Sequence, residues 1–135
     1  MSLKQKLASF GTISMPLALI AIFIGSVINP QSWEKLFGVV NPNNNQTSYY
    51  PFHYAAGMRD GVLGIIGLLI RFKHPQALMD FYIAELLIPI CDLDIVIYYN
   101  GTFIDGICHI IGGFATFTLI LLLKQDDKIP GKKRS

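Results

Sequence analysis

The sequence predicts an all-α fold, a four-helix transmembrane bundle with a short interfacial helix in its first lumenal loop. Composition is the first reason: of 135 residues, 52% are hydrophobic and only 15% charged. A mean hydropathy of +0.45 is too apolar for an ordinary small soluble domain. Four stretches are also long enough to cross roughly 30 Å of hydrocarbon at about 1.5 Å per helical residue. Two of the connections between them, "KHP" and "NG", suit only antiparallel neighbours. The many alternating strands that a membrane β-barrel needs are absent. One integral membrane domain over residues 1–135 accounts for the length, and a net charge of +2 is too small to suggest a nucleic-acid partner.

The first span is expected over residues 10–29, "FGTISMPLALIAIFIGSVIN". A basic start before an apolar run resembles a signal peptide, but "SVINPQSW" offers no small-x-small cleavage site, so the span is retained. The other spans are expected over residues 53–72, 76–99 and 101–123, followed by a basic tail over 124–135. Between the first two, Trp33, Leu36, Phe37 and Val40 fall at helical spacing with Ser32 placed as an N-cap. That pattern predicts a short helix in the lumenal interface, anchored by Trp33. The polar run "NPNNNQTSYYP" after it is a turn-rich loop. Whether this segment is a plain connector or a lid over the lumenal mouth stays open.

Basic residues set the orientation. Lys4 and Lys6, then Arg71 and Lys73, then Lys124, Lys128, Lys132, Lys133 and Arg134 all fall on one side of a four-span protein. Both termini are therefore expected in the cytosol. The final "KKRS" matches a dilysine retrieval pattern and Asn45-Gln46-Thr47 a glycosylation acceptor on the lumenal side, which together place the protein in the endoplasmic reticulum.

Within this frame the ionisable residues fall at one depth. Arg59 and Asp60 lie roughly 9–10 Å below the lumenal end of span two. Asp92 and Asp94 stand just before the lumenal end of span three, and Asp105 and His109 just inside span four. A charge near the bilayer centre costs roughly 2.5–3.5 kcal/mol, so it normally faces protein or water. Helical phase sorts them. Gly57, Asp60, Gly61, Gly64 and Gly67 share one stripe of span two, with Arg59 at its edge. On span four, Thr102, Asp105, Gly106, His109, Gly112, Gly113 and Thr116 form another, while Phe103, Ile107, Ile110, Phe114 and Phe117 point elsewhere. Such small and polar stripes pack against protein. Glu85 and Asp92 share a face of span three, with Pro89 loosening the helix between them. Asp94 is about 200° from Asp92 at about 100° per residue, which favours Asp92 for the interior.

The constellation has two readings. It is a buried ion-pair network, Arg59 with Asp92 or Asp94, that fixes helix register; or it is an acid–base site, because one Arg cannot neutralise Asp60, Asp92, Asp94 and Asp105 together. Asp105 and His109 at i, i+4 also suit a carboxylate-oriented imidazole. No HExxH, Glu-x-x-His or Cys/His spacing supports a metal, and no cofactor is expected. Cys91 and Cys108 are expected as buried thiols.

The segment "AGMRDGVLGIIGLLI", then "LLIPICDLDIVIYY" and a Gly-rich last span with His109, resembles a widespread family of small four-helix integral membrane proteins best known as an uncharacterised domain. The likeness covers residues 10–123. A weaker likeness in kind is to small membrane epoxide hydrolases and cyclases of fungal polyketide pathways. The Asp-Arg-Asp set is similar to that of limonene-epoxide hydrolase, a soluble protein of another fold, in residue types but not in order or spacing. That likeness implies one carboxylic acid protonating an epoxide oxygen, a second carboxylate activating water or an internal hydroxyl, and an Arg bridging them, roles for Asp60, Asp92 and Arg59.

The expected function is a membrane-embedded enzyme that opens an epoxide by hydrolysis or cyclisation, or isomerises a small lipophilic substrate. Asp60, Asp92, Arg59, His109 and Asp105 are the expected catalytic residues, and Glu85, Asp94, Trp33 and Tyr99 the expected substrate contacts. Partners are the lipophilic substrate and membrane lipid, with a homodimer left open. The alternatives are a small proton-coupled transporter, disfavoured because span one holds no carboxylate, and a non-catalytic structural or chaperone subunit.

Overall fold

The structure, a computed structural model, describes residues 2–37, 50–100 and 103–126. The glycosylation pattern at Asn45, the polar loop around it, Val40, Thr102, the "KKRS" tail and the side chain of Tyr99 lie outside the described residues. What is described is all helical: α1 (Leu3–Ile28), α2 (Pro30–Leu36), α3 (Tyr50–Lys73), α4 (Leu78–Glu85), α5 (Leu87–Asn100) and α6 (Ile107–Asp126), with a 3₁₀ turn over Pro75–Ala77.

Local chemistry explains the boundaries. α1 opens on a capping box: the Ser2 hydroxyl accepts from the Gln5 N–H at 3.3 Å, and the Gln5 side chain accepts from the Ser2 N–H at 2.9 Å. α2 begins three residues before the position that the Ser32 cap predicted. Pro30 takes the first helical position, where its missing N–H costs nothing, and the Asn29 side chain accepts from the Ser32 N–H at 3.3 Å. α3 stops at Lys73 because Pro75 pushes His74 out of the helical region, to φ −137°.

Two expected spans change shape. The third is broken at Leu86 into helices of 8 and 14 residues. Pro89 is the reason, since it cannot donate the N–H that would bond the Glu85 carbonyl in a continuous helix. The fourth begins at Ile107 instead of Gly101; residues 103–106 are turns, so Asp105 precedes the helix rather than lying within it. Leu3–Ile28 and Ile107–Lys124 are each long and apolar enough to cross a membrane. α3 has the length but carries Arg59, Asp60, Arg71 and Lys73, and neither piece of the broken segment is long enough by itself.

Packing is inside-out relative to a soluble domain. The buried apolar core is small, with Leu78, Tyr82, Leu119 and Ile120 at its centre. By contrast Phe10, Ile24, Ile65, Ile90, Ile104 and Phe114 are exposed, a shell far larger than a soluble monomer shows to water. α1 and α3 make the most extensive contact. Gly57, Gly61 and Gly64 of α3 meet Ser26, Phe23 and the Pro16 carbonyl of α1, leaving no room for a Cβ. The stripe expected of α3 is therefore the one that packs. On α6 and the turn before it the expected division holds in part: Gly106 and Thr116 are buried and Phe103, Ile107, Ile110, Phe114 and Phe117 are exposed, but a Cβ on Gly112 would meet open space.

A polar cluster ties the other end of the bundle together. Pro16 leaves the Thr12 carbonyl without its intrahelical donor, and the fully buried Tyr82 hydroxyl donates to it at 3.5 Å. Arg71 donates from Nε to the Thr12 hydroxyl at 3.0 Å and from Nη2 to the Ser9 hydroxyl at 3.2 Å.

Candidate functional site

At the α2 end of the bundle, α3 and α5 bring their charges together. Arg59 makes a two-pronged bond to Asp92, Nη1 to Oδ1 at 3.0 Å and Nη2 to Oδ2 at 2.7 Å. The same guanidinium donates from Nε to Asp60 Oδ1 at 3.0 Å. One planar cation thus bridges two carboxylates from different helices, a geometry that guanidinium supports and ammonium does not. Of the two partners that the sequence left open for Arg59, the structure selects Asp92.

His109 completes the group. Its Nε2 lies 3.2 Å from the Phe37 carbonyl oxygen. A carbonyl can only accept, so Nε2 carries the proton. Nδ1 then faces Asp92 Oδ2 at 3.8 Å, beyond direct hydrogen-bond distance. The carboxylate that the structure places beside the imidazole is Asp92, while Asp105 lies in the turn before α6.

These residues border a cavity of about 50 Å³. Arg59, Asp60, Asp92 and His109 form its polar side, and Ile22, Ile95 and Val96 are among its apolar lining. By the same measure one water needs about 10–15 Å³, so there is room for a small polar group with a water beside it. Phe37 also borders the cavity. Its ring stacks on Trp33 with centroids 5.7 Å apart and tilts against His109 at 5.5 Å. Of the segment that the sequence left as connector or lid, residues 30–37 are described, and Phe37 is the part that borders this cavity.

The structure separates the other expected residues. Glu85 is buried but does not line this cavity, and Asp94 is exposed, as its helical phase implied. Asp105 is half-buried in the turn before α6 and does not line the cavity. Trp33 reaches the cavity only through Phe37. Cys91 and Cys108 are free thiols but not the buried ones expected: Cys91 is exposed and Cys108 half-buried. No group of three or more His, Cys, Asp or Glu suited to a metal occurs among the described residues. Sequence reasoning missed the Phe37 carbonyl as a partner of His109, since a backbone acceptor leaves no trace in residue type. It also missed Ser26 and Gly57 in the lining, although Gly57 lay on the recognised stripe.

The packing of α2 gives a testable consequence. A Cβ on Gly25 would collide with the Trp33 indole, so Gly25→Val should displace α2 from the bundle. Trp33 is the one tryptophan of the chain, so its fluorescence reports this directly. Quenching by acrylamide is expected to rise clearly in the variant, whereas unchanged quenching would mean that Trp33 does not pack on α1.

The family model described as "Domain of unknown function (DUF4267)" matches residues 17–123. No curated protein and no solved structure matches the chain.

Proposed function

We propose that this chain, which belongs to the DUF4267 family of unknown function, is a membrane-embedded enzyme that opens an epoxide on a small lipophilic substrate. The observation that carries this reading is the single guanidinium bridging Asp60 and Asp92 at the wall of a small cavity. The exposed apolar shell supports a four-helix arrangement in the bilayer, with α4 and α5 together forming one broken span. The distribution of Lys and Arg supports an orientation with both basic ends on the cytosolic side.

The two carboxyls differ in how Arg59 holds them. Asp92 has both oxygens engaged and serves as the base. Asp60 is engaged at Oδ1 and serves as the acid, its proton on Oδ2. As the epoxide C–O bond breaks, Asp60 gives that proton to the leaving oxygen. Water forms the new bond to carbon and gives its proton to Asp92, so the product is a diol. An internal hydroxyl in place of water gives a ring. Only the reacting end enters the cavity, and the apolar remainder stays among lipid.

The test is turnover of long-chain terminal epoxides by the purified protein in lipid nanodiscs, in ¹⁸O-labelled water. Diol carrying one labelled oxygen, formed faster than in empty nanodiscs, is the expected result. No excess product across aliphatic, aryl and terpenoid epoxides would overturn the assignment and leave the ion-pair network as a device for helix register.

A further inference from the structure

We propose that Glu85 is the proton store of this site, refilling Asp60 after each turnover; the inference rests on the acid–base reading above. Glu85 closes α4 at the break in the third segment. It is 6% exposed, and its Oε2 is a buried oxygen with no hydrogen-bond partner among the described residues. The position holds a second acceptor, because Pro89 removes the helical donor of the Glu85 carbonyl. A buried carboxylate without a donor or a cation is costly, whereas a carboxylic acid supplies its own donor.

The surrounding charges lead the same way. From α3 the group acting on Glu85 is Asp60; Glu85 in turn acts on Tyr82 of its own helix, as does Arg71 of α3. α1 brings no ionisable side chain beyond Lys4 and Lys6 at its start. α5 brings Asp92 and α6 brings His109, and both are engaged in the Arg59 cluster. Arg59 is already shared by two carboxylates, so it does not compensate a third. Glu85 therefore sits within electrostatic range of the acid that each turnover empties, and it holds what that acid lacks.

The steps balance. After opening, Asp60 is a carboxylate and Asp92 carries the proton taken from water. The Glu85 O–H bond breaks as an O–H bond forms on Asp60, through a water where the two do not touch. Glu85 then regains a proton from water. The proton on Asp92 passes through a water to His109 Nδ1 and leaves to water, so one proton enters and one departs per cycle.

Two measurements test this. The first needs neither a variant nor turnover: a lipophilic carbodiimide, which reacts with buried carboxylic acids, is applied to the native protein in nanodiscs and adducts are mapped by mass spectrometry. An adduct on Glu85, suppressed as pH is raised, is expected; an unmodified Glu85 would overturn the proposal. The second uses Glu85→Gln. The first turnover should stay within about twofold of the unmodified protein, while steady-state turnover falls at least tenfold and recovers with a small permeant weak acid. Equal loss of both phases, or no loss, would also overturn it, and Glu85→Met, of similar volume and without a titratable group, serves if the Gln variant does not fold. If the unmodified protein opens no epoxide yet Glu85 takes up the label, the enzyme assignment fails and the buried proton stands.

Discussion

Replacing Asp92 by Asn is expected to lower epoxide turnover by about 10²–10⁴-fold, the usual contribution of a positioned acid or base. The variant should still fold. Asn keeps an oxygen to accept one guanidinium N–H, and Arg59 keeps its bond to Asp60. What Asn loses is the ability to take a proton from water. A drop in kcat with little change in KM is therefore the signature, since the cavity wall is otherwise unaltered. Turnover within a few-fold of the unmodified protein would remove Asp92 as the base. Asp94→Asn is the control: Asp94 is exposed and outside the cavity, and the rate should stay unchanged.

Replacing Arg59 by Met is expected to cost stability as well as activity. It leaves Asp60 and Asp92 without their shared cation, with side-chain exposures of 11% and 20%. Breaking a buried pair costs about 3–5 kcal/mol and breaking an exposed one about 0–1. Arg59 itself is 36% exposed, so a loss of roughly 2–3 kcal/mol is expected from these limits. Reversible unfolding in mixed micelles measures it. The carboxylates are the cause of the loss, so adding Asp60→Asn and Asp92→Asn to Arg59→Met should recover stability without activity. Failure to recover would place the cost in packing of the Arg59 side chain and not in charge.

Much of this site was legible before any coordinates. Depth arithmetic brought Arg59, Asp60, Asp92 and His109 to one level, and helical phase preferred Asp92 to Asp94. The glycines at 57, 61 and 64 announced a packing face on α3 through their spacing, though not that α1 would fill it. What escaped depended on partners distant in sequence. His109 and Phe37 are 72 residues apart, and no periodicity connects a ring nitrogen to a backbone carbonyl. Asp105 was misplaced because Phe103, Ile104 and Ile107 flank it without showing where helix replaces turn. Pro89 announced a distortion, but the break falls three residues earlier, at Leu86, since a proline disrupts the helix through the turn preceding it. The resemblance to an uncharacterised membrane family agrees with the match over residues 17–123, and the chemistry has to be argued from the site.

The central claim is that the cavity beside Arg59 receives the reacting end of a lipophilic molecule. A structure of the Asp92→Asn variant in nanodiscs with a long-chain terminal epoxide tests it most directly. The account predicts the epoxide oxygen within hydrogen-bond distance of Asp60, the carbon to be attacked facing position 92, and the chain running out between apolar side chains toward lipid. An interior that stays empty at saturating epoxide, with Arg59 still bonded to Asp60, would contradict it.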